Sequence, residues 1–162
     1  MEILKSELVL TIDVGTTNLK CILFNEEGKE VAKVSLSNTT RYPQPFFAEQ
    51  DPWQWIENLK LILQNMRQLH PEKLNSIAAI VLTGQMHGPV LIGNNGEALC
   101  PCIIWSDARA IEEVEILERK FSPEFFLEKM GNPLQQSFTL PKLLWLKRHY
   151  SEVFTKTSKI IF

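Results

Sequence analysis

The sequence predicts an α/β fold with a mixed sheet, and three observations lead there. Three apolar runs within the first 36 residues are joined by two tight connections, the mark of an antiparallel meander. An amphipathic helix then leads into a fourth apolar run, and strand, crossover helix and strand in succession imply parallel pairing with an earlier strand. The composition is that of an ordinary globular protein: of 162 residues, 44% are hydrophobic and 22% charged, with 17 basic against 19 acidic side chains. This near-neutral balance argues against a nucleic-acid protein, which carries a strong basic footprint. No apolar run approaches the ~20 residues needed to span a bilayer, and one compact domain is the default at this length.

The first strand is Leu8-Val9-Leu10-Thr11-Ile12-Asp13, a mostly continuous apolar run of the kind covered on both faces. A second run occupies residues 19–24, and Asn25-Glu26-Glu27-Gly28 supplies the turn, with Gly28 free to take positive φ. Residues 30–36 alternate as the third strand. After a polar stretch with Pro43 and Pro45, helix-start signals coincide: Asp51 as N-cap, Pro52 at the first helical position, and Gln54 where a capping box takes Glu or Gln. Trp55, Leu59, Ile62, Met66 and Leu69 then recur on one apolar helical face, and Pro71 ends it. Trp53 and Trp55, at helical spacing, read as packing residues rather than cofactor contacts.

Ile77-Ala78-Ala79-Ile80-Val81-Leu82 reads as the cleanest buried strand of the chain. Val90-Leu91-Ile92, the turn Gly93-Asn94-Asn95-Gly96 and Cys102-Ile103-Ile104-Trp105 predict a further hairpin. Helices follow at about residues 107–120, at 123–130 after a Ser122 cap, and at 141–149. Lys159-Ile160-Ile161-Phe162 opens a new apolar strand and stops inside it, which predicts a fragment of a longer protein. No internal repeat and no dividing linker is visible.

The start of the chain, with Glu2, Lys5 and Glu7, lacks the basic n-region and long h-region of a signal peptide. Cys21, Cys100 and Cys102 have no second Cys or His pair at zinc-site spacing, so they read as buried or partly buried thiols of a reduced cytoplasmic protein.

Three segments carry candidate chemistry. In Asp13-Val14-Gly15-Thr16-Thr17-Asn18-Leu19-Lys20 an acidic residue closes a strand, glycine permits a tight turn, and two hydroxyls enter the next strand. Such a hairpin can cradle phosphate oxygens while Asp13 holds a hydrated Mg²⁺; equally, Asp and Gly can be plain turn formers. Neither a P-loop nor a dinucleotide fingerprint occurs. Thr83-Gly84-Gln85-Met86-His87-Gly88-Pro89 follows the fourth strand, where ligands collect at strand carboxyl ends. Its amide and imidazole can bond polyol hydroxyls and its methionine offers an apolar wall, whereas His70 and His149 read as structural. In Trp105-Ser106-Asp107-Ala108-Arg109, Asp107 suits an N-cap and Arg109 a carboxylate partner, so a capped helix with a salt bridge stands beside ligand contact.

Taken in order, Asp13-Val14-Gly15-Thr16-Thr17 with Lys20, Ala48-Glu49-Gln50-Asp51-Pro52 with Trp55, Gly84-Gln85-Met86-His87-Gly88, and Trp105-Ser106-Asp107-Ala108-Arg109 resemble the FGGY carbohydrate kinases, which share the actin and hexokinase-like (ribonuclease H-like) ATPase fold. The Gln-Met-His-Gly tetrad is similar to xylulokinases in particular. So are Gly131-Asn132-Pro133-Leu134-Gln135 and Thr139-Leu140-Pro141-Lys142-Leu143-Leu144-Trp145. The resemblance runs over about residues 8–162. It implies ATP and Mg²⁺ as cofactors, with Asp13 near the metal and the transferring phosphate. Gly15, Thr16 and Thr17 would form the phosphate hairpin and Lys20 a phosphate-facing cation. Gln85, Met86 and His87 would contact the sugar, with Trp105 as a wall that Asp107 and Arg109 brace.

Such kinases have two lobes, and the resemblance covers only the first part of the sugar-binding lobe, residues 1–162. No catalytic base is expected in this chain: the family's aspartate that takes the sugar proton would lie beyond residue 162, as would the adenosine pocket. The implied partners are a pentulose and ATP, with neither nucleic acid nor membrane, and a homodimer is left open. D-xylulose leads as substrate, and gluconate, ribulose and glycerol types are its rivals. Outside the family's activity stand a non-catalytic sugar-binding or regulatory half-domain and a structural protein of the actin-like fold. The loop from Gln85 to Gly88 has no obvious task in the latter.

Overall fold

The structure, a computed structural model, describes residues 7–162. The reading of Glu2 and Lys5 against a leader lies outside the described residues. In chain order the elements are β1 (Leu8–Val14), β2 (Asn18–Phe24), β3 (Glu30–Ser37), β4 (Glu49–Gln50), α1 (Pro52–Leu69), α2 (Pro71–Leu74), β5 (Ile77–Gly84), β6 (Val90–Ile92), β7 (Cys102–Ile103), α3 (Ile111–Lys120), α4 (Pro123–Met130), α5 (Thr139–His149), α6 (Ser151–Lys156) and β8 (Lys159–Ile161). They form two compact units. One comprises the residues up to Thr39 with Trp53–Gln85, the other Thr40–Pro52 with Met86–Phe162. No helix among the described residues is long and apolar enough to cross a membrane.

The first unit is built on a four-stranded sheet of order β3-β2-β1-β5. β1, β2 and β3 pair antiparallel in succession and β5 joins β1 in parallel, so the predicted mixed sheet with its meander is present. Alternation along β1 buries Leu8, Leu10 and Ile12, which meet Leu19, Cys21 and Leu23 of β2, Ala32 of β3 and Ile62 and Met66 of α1. Each fully buried large aliphatic side chain contributes roughly 1.5–3 kcal/mol. β1 is thus buried on one face and half-covered on the other, not covered on both as its composition suggests.

Two further expectations are corrected in this unit. The run read as the cleanest buried strand is exposed: residues 78–84 of β5 face solvent, Leu82 by 73%. β5 is one of the two edge strands, and the core takes only Ile77 from it. Uniform apolarity speaks for a covered strand without saying which residues cover it. On α1, Trp55 and Leu59 pack as expected, but Leu69 stands in solvent at the helix end. Gln54 does not close a capping box: its Oε1 accepts from the Thr39 backbone N–H at 2.7 Å and its Nε2 donates to the Thr39 hydroxyl.

The second unit has two short antiparallel pairs, β4 with β7 and β6 with β8. The predicted hairpin between residues 90–92 and 102–105 is therefore not made. Its turn does form, with the Leu99 N–H donating to the Leu91 carbonyl. Pro101 then has no N–H to continue that ladder. Beyond it Cys102 pairs with Gln50, while Leu91 of β6 pairs with Ile160. α3 starts at Ile111 rather than 107, because the Asp107 carboxylate accepts from the Arg109 backbone N–H at 2.9 Å and turns the chain before the helix begins. α4 matches its expected bounds, with the Ser122 hydroxyl accepting from Phe125 N–H and Gly131 closing it at φ 71°. α6 has no counterpart in the sequence reading. Leu91, Ile103, Ala110, Trp145 and Leu146 form this unit's core.

Candidate functional site

In the first unit, β1 and β2 present a hairpin whose tip is residues 15–17. Asp13 and Lys20 are cross-strand partners, so their side chains share a face, and Lys20 Nζ lies 3.0 Å from Asp13 Oδ2. The Gly15 N–H donates to the Asn18 carbonyl. A Cβ at position 15 would stand 2.9 Å from that carbonyl oxygen, too close for any residue but glycine, and 3.6 and 3.8 Å from the Asp13 carboxylate oxygens, in ordinary contact. The tip is held from behind. Asn38, buried, donates its amide to the Gly15 carbonyl at 2.7 Å, and its backbone N–H donates to the Thr17 carbonyl at 2.8 Å. Asn58 of α1 in turn donates to Asn38 Oδ1 at 2.9 Å. Gln85 closes the other side: its N–H donates to the Val14 carbonyl, and its Oε1 accepts from the Thr16 hydroxyl at 3.3 Å. Gln85 is thereby brought to the hairpin.

The second unit holds Met86, His87 and Trp105. Met86 and Trp105 are apolar yet exposed, by 71% and 50%, while the backbone beside them is pinned. His87 adopts φ 65°, a left-handed conformation that costs a non-glycine residue about 1–2 kcal/mol. Its ring stacks on Phe138 with centroids 4.6 Å apart. Its carbonyl accepts from Lys142 Nζ at 2.9 Å, and the same ammonium donates to the Ile104 carbonyl, also at 2.9 Å. Lys142 is fully buried, and desolvation pushes its pKa down to about 8.

Next to Trp105 lies a second buried polar cluster. The Arg109 guanidinium bonds Asp107 Oδ2 at 2.7 Å and Glu49 Oε1 at 2.8 Å and lies over the Phe47 ring, 3.7 Å from its centroid. Asp107 Oδ2 also accepts from the Ala48 N–H at 2.6 Å. Asp107 and Arg109 therefore brace the loop that carries Trp105, and Asp107 does not cap α3. The three thiols are unpaired; burial raises Cys21 and Cys100 to about 11 and Cys102 to about 12, which keeps them protonated and inert.

A chain with this hairpin and this Gln-Met-His-Gly loop has relatives. The model of the FGGY family of carbohydrate kinases, N-terminal domain, matches residues 8–162. The chain belongs to the FGGY family. It is 35% identical over 154 residues to the xylulose kinase of Klebsiella pneumoniae, a match that covers 95% of this chain and 31% of that protein. The xylulose kinase structure from Rhodospirillum rubrum superposes with a TM-score of 0.91 at 32% identity, covering 95% of this chain and 32% of that one. A gluconate kinase from Lactobacillus acidophilus gives 0.86 at 31% identity, covering 96% and 31%. The fold is accordingly that of the actin and hexokinase-like ATPases, and this FGGY chain spans about a third of the length of the relatives it matches.

Magnesium, which the family implies, takes hard oxygen donors and commonly only one or two protein carboxylates, with water and substrate phosphates completing its shell. Asp13, its carboxylate one-third exposed beside the glycine-bearing tip of the hairpin, fits that role. The sequence reading missed Asn38, Asn58, Glu49 and Lys142 as supports of these two FGGY segments. Glu49 and Lys142 stand within the motifs that carry the family resemblance, but nothing in those motifs assigns them a role, and Asn38 and Asn58 stand in none.

Proposed function

We propose that the chain is the first part of the sugar-binding lobe of a cytoplasmic, ATP- and Mg²⁺-dependent kinase that converts D-xylulose to D-xylulose 5-phosphate. The observation that carries this reading is the Gln85-Met86-His87-Gly88 tetrad in a chain 35% identical to a xylulose kinase. His87, half-buried with its ring stacked on Phe138, offers an imidazole to a sugar hydroxyl. Met86 and Trp105 supply apolar walls, and Gln85 sits with the hairpin.

Phosphoryl transfer is catalysed chiefly by positioning and charge neutralisation. Asp13 would hold the ion, whose chemistry when bound is to offset the charge on the phosphate oxygens. The hairpin tip of Gly15, Thr16 and Thr17 would present its backbone and the Thr17 hydroxyl to those oxygens, and Lys20 brings a positive charge to the face of Asp13. The sugar hydroxyl gives its proton to a base that lies beyond residue 162, its oxygen bonds the γ-phosphorus, and the bond to the ADP oxygen breaks. The 162-residue chain alone therefore produces no xylulose-dependent ADP; turnover by it would contradict this assignment.

In the full-length protein, His87→Ala should raise the KM for D-xylulose about tenfold or more and leave that for ATP within about twofold. Equal effects on both would remove His87 from the sugar site. The gluconate kinase likeness supports a second reading, in which D-gluconate is the substrate. A higher kcat/KM for D-gluconate than for D-xylulose would select it.

A further inference from the structure

A fully buried lysine whose two hydrogen-bond partners are backbone carbonyls is an unusual use of a charge. Lysine is almost never fully buried unless its ammonium is satisfied. Lys142 spends its donors on two segments distant in sequence: the carbonyl of His87, in the loop after β5, and that of Ile104, the residue before Trp105. Both lie 2.9 Å from a single nitrogen, so one side chain of α5 ties the two loops together. The N-cap of the same helix, Phe138, stacks on the His87 ring.

Two features make His87 depend on such a tie. Its positive φ is strained for a residue with a Cβ and persists only where the surroundings over-determine it. Gly88 after it is packed so close to Cys102 that no side chain fits, since a Cβ there would stand 2.7 Å from Cys102 Sγ. The carbonyl bond to Lys142 and the ring contact with Phe138 are what hold this conformation.

We infer that Lys142 is a positioning residue for sugar recognition, fixing through the His87 and Ile104 carbonyls the two loops that present Met86, His87 and Trp105. The inference deepens the proposed function and rests on it. A lysine that merely fills the core would affect stability, or sugar and ATP alike. A lysine that sets these loops acts on the sugar alone.

The test uses the full-length protein. Lys142→Met keeps the length and apolar stem of the side chain and removes the donors. It should raise the sugar KM about tenfold with the ATP KM within about twofold, in step with His87→Ala. Lys142→Arg, which keeps the charge and the donors, should recover part of that loss. If His87→Ala changes the sugar KM and Lys142→Met does not, or if Lys142→Met moves both KM values equally, the positioning role is wrong. If His87→Ala leaves the sugar KM unchanged, the reading of the sugar site fails instead. Should Lys142→Met not fold, Lys142→Gln, which keeps a neutral donor on a shorter stem, decides: the sugar KM should rise with the ATP KM within about twofold. A rise in both KM values together, or in neither, overturns the inference.

Discussion

The two units are held together by different physics. The first is a strand-and-helix sandwich whose core is aliphatic, with Leu10, Ile12, Leu23, Ile62 and Met66 meeting at the sheet, and its hairpin is tied by neutral amides from Asn38, Asn58 and Gln85. The second has strands of only two or three residues and buries charge instead: Asp107, Glu113 and Lys142 are inaccessible, and Arg109 is sandwiched between carboxylates and the Phe47 ring. Hydrophobic burial is diffuse and forgiving, because many contacts share the load. A buried ionic cluster concentrates the load in a few atoms whose loss leaves a partner uncompensated. The same trade serves the two candidate binding segments: neutral donors hold a tip that would meet phosphate, and charges hold loops that present uncharged walls.

The sharpest way to break this contrast is Arg109→Met. It would strand Asp107 and Glu49 without a cation and should destabilise by about 3–5 kcal/mol, read as a lower denaturant midpoint. A loss near zero would mean that the cluster is dispensable and that the two units do not differ in kind.

Alkaline pH probes the buried titratable groups next. Lys142 has its pKa depressed from 10.5 to about 8, so from pH 8 to 9 the unfolded state keeps a proton that the folded state releases, a gain in stability that the onset of thiol ionisation in the unfolded state nearly cancels. The three thiols are raised from 9.0 to about 11, 11 and 12, so above pH 9 the unfolded state loses three protons that the folded state keeps. Net of Lys142, the folded state then holds between one and two protons more, and stability should fall by about 2 kcal/mol from pH 9 to 10. Denaturation midpoints at pH 8, 9 and 10 would show it; a flat profile above 9 would mean that the thiols are not buried as described.

The mildest perturbation lies in the first unit. Asn38→Ala leaves the Gly15 carbonyl without its donor and should cost about 1–2 kcal/mol. If the hairpin tip serves phosphate, the KM for ATP in the full-length protein should rise more than that for the sugar.

Legibility in the sequence followed the same division. The meander and α1 could be read because alternation, a helical stripe and the Asn25–Gly28 turn are local, and α4 because its Ser122 cap and Gly131 stop are. What could not be read was non-local. β4 is two polar residues that become a strand only by pairing with Cys102 and Ile103, and β6 finds β8 nearly 70 residues away. The chemistry-bearing side chains were visible as motifs, whereas their supports were not. Nothing local distinguishes Lys142, fully buried on α5, from the exposed Lys147 on the same helix.

The apolar, uncharged stretch of β5 carries a further consequence, for handling rather than chemistry. Ile80, Val81 and Leu82 stand in solvent on a strand whose second edge has no partner among the described residues. A strand of this kind, with no lysine or proline along its length, is a template for pairing with other chains. The isolated 162-residue polypeptide should form inclusion bodies when overproduced and call on chaperones in the cell. Solubility, before turnover, is then the property its producer meets first.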